Sequence, residues 1–185
     1  PVPRPRSGSG SGSGPKHLLV DSTGLRLCGP GEWLAEKHGT KRRRAWRTLH
    51  LATDADTGRI VASALTGRDA DDGSQVGPLL DRVEGAVASV TGDGAYDRDD
   101  VYAAVEARHP EAAVAVPPRA NAVPSDTAET APTQRDVHLR CIAERGRMGG
   151  QTASGYGRRA LVEADVSRWK RVIGDALRSW TDERQ

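Results

Sequence analysis

The chain has no phenylalanine, one methionine and two cysteines among 185 residues. Cys28 and Cys141 lie far apart and make no CxxC pair. That excludes the common zinc-site spacings and favours a reducing, cytosolic setting. No apolar run approaches the roughly 20 residues of a membrane span, so no membrane partner is expected. The opening "PVPRPRSGSGSGSGPK" has neither an apolar core nor an initiator Met. It is no signal peptide, and the chain reads as a piece of a longer reading frame. No internal repeat is present.

What remains is polar but foldable: 28% charged, 36% hydrophobic, net charge +2. The small net charge hides a basic cluster, Lys41, Arg42, Arg43, Arg44 and Arg47, with Trp46 among them. Such a run suits phosphate contacts, and Trp46 suits base stacking or, equally, packing within a hairpin. Residues 1–15 are Pro, Arg, Ser and Gly and read as a flexible linker or tail. A single folded domain is expected over 16–185.

The apolar run "HLLVDS" (17–22) predicts a strand ending at Asp21. "GPGEWLAEKHGTK" reads as a long connection. Alternation in "WRTLHLATDADTGRIVASALT" predicts a hairpin about "DADTG", with Leu49, Leu51 and Thr53 on one side and His50 and Ala52 on the other. An amphipathic helix is predicted over 74–86, a strand leading into Gly92-Asp93-Gly94, and a helix stopped by Pro110. A strand over 112–118, a polar loop over 119–133 and a helix over 134–146 follow. "RMGGQTASG" reads as a loop before the last helix, "SGYGRRALVEADVSRWKRVIG" (154–174). Strands interleaved with helices predict an α/β domain with a mixed sheet.

Asp21 and Asp93 share a setting, each after a short apolar strand and before small residues. Ligand sites in open α/β sheets gather at strand ends. Two carboxylates there can hold a hard divalent cation, although aspartates also end strands simply because they suit turns. The last helix offers a third acid. At about 100° per residue, with Tyr156 at zero, Arg159 falls near −60°, Glu163 near −20° and Lys170 near −40°. Leu161, Val162, Val166, Trp169, Val172, Ile173 and Leu177 fill a separate apolar arc. The polar stripe fits a metal ligand beside bound phosphates. It equally fits a solvated face, since Arg159 and Glu163 form an i,i+4 pair.

Asp21 in "LLVDSTGL", Asp93 in "GDGAYD" and the spaced set Tyr156, Arg159, Glu163, Lys170 together resemble the DDE transposases of bacterial insertion sequences. The likeness is to insertion-sequence family five and its close relative family four, and covers about residues 16–185. "LCGPGEWLAEKHG" and "RRRAWRTLHLATDADTG" also read like family-five sequences. The resemblance implies a ribonuclease H-like mixed five-stranded sheet flanked by helices. It implies Asp21, Asp93 and Glu163 as catalytic ligands of two Mg²⁺ or Mn²⁺ ions. It implies cleavage at the ends of a mobile element, then joining of the 3′-OH to target DNA. Tyr156, Arg159 and Lys170 match family positions that grip the DNA backbone near the cleaved end. The implied partner is double-stranded DNA, both element ends and target, with a homodimer at synapsis and a cytoplasmic, nucleoid-associated setting. Two other readings stay open: a catalytically dead remnant that only binds DNA, and a structure-directed nuclease on the same fold.

Overall fold

The computed structural model describes residues 14–27 and 46–153, with single positions at 167, 171, 174, 176 and 177. Strand β1 spans Lys16–Leu27, β2 Trp46–Asp54, β3 Ile60–Gly67, β4 Val87–Thr91 and β5 Ala113–Ala115. Helices α1 (Val76–Leu80), α2 (Asp99–Arg108) and α3 (Gln134–Ala153) interleave with them.

The sheet order is β3-β2-β1-β4-β5. β2 runs antiparallel to both β1 and β3, while β1–β4 and β4–β5 are parallel. A two-residue strand β6, Ala176–Leu177, adds to the far end of β1 at Arg26 and Leu27. This mixed five-stranded order with three helices is the expected ribonuclease H-like α/β fold.

Period-two alternation gives the sheet two faces. Leu18 and Val20 of β1, Ala52 of β2, Val90 of β4 and Val114 of β5 point to one face. There they pack against Val76, Leu79 and Leu80 of α1 and Val101 and Val105 of α2. Leu19, Thr23, Leu25, Leu51 and Thr91 are buried on the other face. Leu18, Leu19 and Val20 are therefore buried on alternate faces, which is why the start of β1 reads as a short continuous apolar run.

Several local expectations are corrected. β1 does not stop after Asp21 but continues to Leu27, because Asp21–Arg26 pair with Trp46–Leu51 of β2. The helix expected over 74–86 is a single 3-10 turn, Gly73–Gln75, followed by the five residues of α1. Turn hydrogen bonds from Arg82 and Val83 back to Leu79 and Leu80, then Gly85 at φ 84°, end it early. Val83 still reaches the core. The side of β2 that alternation gives to His50 and Ala52 is buried too, with His50 fully enclosed. The expected loop over 147–155 is helical as far as Ala153; the break lies earlier, at Gly146, whose φ of 73° no helix accepts. Leu177, assigned to the apolar arc of the last helix, lies in β6 after Gly174 (φ 98°).

Candidate active site

Asp21 is the sixth residue of β1 and Asp93 follows β4 by two residues. The parallel register pairs Leu19 with Thr91. Carried on by two residues, it sets Asp21 level with Asp93 where β4 ends and β1 runs on. Both belong by alternation to the face of Leu19 and Thr91, opposite α1 and α2. Neighbouring strands lie about 4.8 Å apart, so carboxylates at this level can reach one ion. The Asp21 setting is thus not a strand end; it is the point where β1 loses its parallel neighbour.

Each carboxylate is oriented by local backbone. Asp21 Oδ1 accepts from the Ser22 N–H at 2.8 Å. Asp93 Oδ1 accepts from the Ala95 N–H at 2.7 Å and caps the short turn Gly94–Tyr96. The Tyr96 ring folds back over Gly92: a Cβ there would lie 2.9 Å from Tyr96 Cδ2. Only glycine fits at 92, immediately before the carboxylate.

A buried charge lies four residues past Asp93. The Asp97 side chain is 0% exposed and accepts from Arg135 Nε at 2.7 Å and Nη2 at 3.3 Å, and from the Arg119 N–H at 2.8 Å. The Arg119 guanidinium turns back, with Nε donating to the Gly94 carbonyl and Nη2 to the Ala95 carbonyl, both at 3.0 Å. Held against Asp97, the Arg135 guanidinium is pushed above its usual range. Burial raises the Tyr102 hydroxyl well above its usual range, with the Asp97 charge adding to it. At the start of α3, Asp136 accepts from the N–H and hydroxyl of both Ser125 and Thr133. The two backbone donors dominate in holding its carboxyl far below the usual range. Thr133 Oγ1 in turn accepts from the Asp136 N–H, making a reciprocal cap.

Of the expected site residues, the described part places Asp21 and Asp93 on neighbouring strand segments, each two residues past the Leu19–Thr91 pair. Arg47 pairs with Leu25 and lies by alternation on the Asp21 face. Trp46 lies on the opposite face over Gly24, where a Cβ would come 3.3 Å from its Cε3. Lys41, Arg42, Arg43, Arg44, Tyr156, Arg159, Glu163 and Lys170 lie outside the described residues. So does the apolar arc from Leu161 to Ile173. Among the described residues no three His, Cys, Asp or Glu side chains converge as a metal site. Asp21 and Asp93 supply only hard oxygen donors, a chemistry that fits Mg²⁺ or Mn²⁺ and not a soft metal.

Asp97, Arg119 and Arg135 were not legible as site residues. Asp97 reads as one of several turn aspartates, and Arg119 as the start of a polar loop. The available signal is Pro117-Pro118, which directs the chain out of β5 and delivers Arg119 to the Asp93 turn.

A mixed sheet in the order 3-2-1-4-5, with a carboxylate on its first strand level with one just beyond its fourth, defines a ribonuclease H-like domain. The family model described as transposase DDE domain matches residues 12–185. The chain belongs to that family of DNA transposases, whose members normally use divalent metal ions. No helix among the described residues is long and apolar enough to cross a membrane.

Proposed function

We propose that this chain is the catalytic domain of an insertion-sequence transposase of family five, close to family four, with residues 16–185 forming the domain and 1–15 a linker. Asp21, Asp93 and Glu163 hold two Mg²⁺ or Mn²⁺ ions. Bound there, the metals supply activation of the attacking oxygen and charge stabilisation at the leaving oxygen. The chain's own residues set the geometry: β1 and the Gly94–Tyr96 turn fix two carboxylates side by side. Tyr156, Arg159 and Lys170 grip the backbone near the cleaved end. Lys41, Arg42, Arg43, Arg44, Trp46 and Arg47 contact flanking phosphates and bases. The substrates are element ends and target DNA, brought together by a homodimer in a cytoplasmic, nucleoid-associated setting.

The observation that supports the reading is the parallel β1–β4 register, Leu19 against Thr91, with Asp21 and Asp93 each two residues further on. The test is nicking of duplex DNA bearing the element's terminal repeat, in Mg²⁺ or Mn²⁺. Glu163→Gln is expected to lower the nicking rate by at least about 10³-fold while DNA affinity stays within about twofold. Salt-sensitive DNA binding by the unaltered chain, with no nicking in either metal, would replace this reading by that of a DNA-binding remnant. Equal cleavage of branched and terminal-repeat DNA would replace it by a structure-directed nuclease.

A further inference from the structure

The turn that carries Asp93 is clamped from outside the site, and Arg119 is the clamp. Gly94 and Ala95 are the two residues after Asp93. Their carbonyls accept from Arg119 Nε and Nη2, both at 3.0 Å. The Ala95 N–H between those carbonyls donates to Asp93 Oδ1. The guanidinium therefore grips the peptide units that aim the Asp93 carboxylate. Its own backbone is pinned as well, since the Arg119 N–H donates to the buried Asp97 carboxylate. Arg135 at the start of α3 holds that carboxylate by two bonds from the other side.

The geometry points to Arg119 as a positioning residue for Asp93, with Asp97 and Arg135 as its anchor. This rests on Asp93 being a metal ligand. A planar fork with two parallel donors matches two successive carbonyls; a lysine ammonium is a single point charge and cannot span them. Arg119 itself is exposed, so its side chain aims a carboxylate without contributing core burial. It also joins the loop after β5 and the first turn of α3 to the mouth of the β1–β4 pair. Strain in either segment would thus be felt at Asp93.

The test uses the full 185-residue chain carrying Arg119→Ala, Arg119→Lys or Asp93→Asn, with Mn²⁺ alone as probe. Mn²⁺ affinity is read by electron paramagnetic resonance. Exchange of the Ala95 amide is read by NMR. Thermal unfolding reports the fold, and salt-dependent DNA binding reports phosphate contacts. Arg119→Ala is expected to weaken Mn²⁺ binding about 10-fold, as loss of an orienting partner does. It should also speed Ala95 amide exchange about 10-fold while the melting temperature moves by no more than about 2 °C. Arg119→Lys should recover only part of both effects. Unchanged Mn²⁺ affinity and amide exchange in Arg119→Ala overturn the proposal. So does a loss confined to DNA affinity, which would make Arg119 a phosphate contact. Asp93→Asn separates the two readings. If it leaves Mn²⁺ binding intact, Asp93 is no ligand and the site reading itself fails. If it abolishes binding while Arg119→Ala does nothing, only the positioning role fails.

Discussion

The Asp97–Arg135 pair gives the sharpest quantitative test of the scaffold. Asp97 is wholly enclosed and Arg135 retains 15% of its side-chain exposure. Removing one partner of a buried pair costs about 3–5 kcal/mol, because the other charge is left without its counter-ion. After Asp97→Ala the Arg135 side chain can regain some water, and its Nη1 keeps its bond to the Val123 carbonyl at 3.1 Å. That sets the expected loss near the lower limit, about 3 kcal/mol. In a chain of this size, it lowers the melting temperature by roughly 6–12 °C. Arg135→Met leaves the enclosed carboxylate with the Arg119 N–H as its remaining hydrogen-bond donor among the described residues, so the cost rises to about 4 kcal/mol. The double variant should cost about 5 kcal/mol, some 2 kcal/mol less than the sum of the singles. Urea unfolding followed by circular dichroism measures all three, with a constant m-value as the check on two-state behaviour. Raising the salt from about 0.1 to 1 M should hardly change the coupling, because ions do not reach an enclosed pair. Single effects that add to within about 0.5 kcal/mol would refute the reasoning.

The Tyr102 hydroxyl is buried without a hydrogen-bond partner among the described residues, so Tyr102→Phe should be neutral or stabilise by up to about 1 kcal/mol, measured by the same unfolding curves. A clear loss of stability would mean that the hydroxyl has a partner. Gly92→Ala places a Cβ 2.9 Å from the buried Tyr96 ring, so the Asp93 turn must shift. Nicking should fall on the order of 10²-fold against a stability loss of about 1–3 kcal/mol, and unaltered nicking would show that the turn tolerates displacement. Stability should decline below about pH 6.5, because burial depresses His50 and His138 and the unfolded chain takes up those protons first. His50 Nδ1 lies 3.4 Å from Asp72 without hydrogen-bond geometry, and this attraction does not outweigh the burial. His50→Gln should flatten the slope between pH 8 and 5; an unchanged slope would exclude His50 as its source. Asp136, whose carboxyl is depressed, stabilises fully above about pH 4 and loses that contribution as pH falls through its folded value. Asp136→Asn should therefore lower the melting temperature at pH 7, with the gap to the unaltered chain closing below about pH 4.

The order of β1 to β5 with three helices among them, the hairpin, and the apolar runs before Asp21 and Asp93 were legible from local pattern. Alternation in "WRTLHLATD" and the apolar runs before Asp21 and Thr91 are properties of neighbouring residues, and short-range periodicity is what a sequence displays directly. Family likeness could be read for the same reason, since it rests on side-chain identities at fixed spacings. Which residues face each other was not legible. β1 runs on past Asp21 because β2 pairs with it, and no signal inside "DSTGLRL" reveals that partner. Leu177 belongs to a strand only because β1 offers it an edge. Asp97, Arg119 and Arg135 read as turn, loop and helix surface, yet they meet across 22 and 38 residues of chain. Their worth comes from burial and from donors brought to Asp97 by two separate elements, and both exist only after the sheet has closed. The sequence alone thus displayed the short-range strand pattern, the two aspartates that follow apolar runs, and the family likeness. The tertiary structure alone decided that β1 and β4 run parallel with Leu19 against Thr91, and that Arg119 from the loop beyond β5 reaches the Gly94 and Ala95 carbonyls.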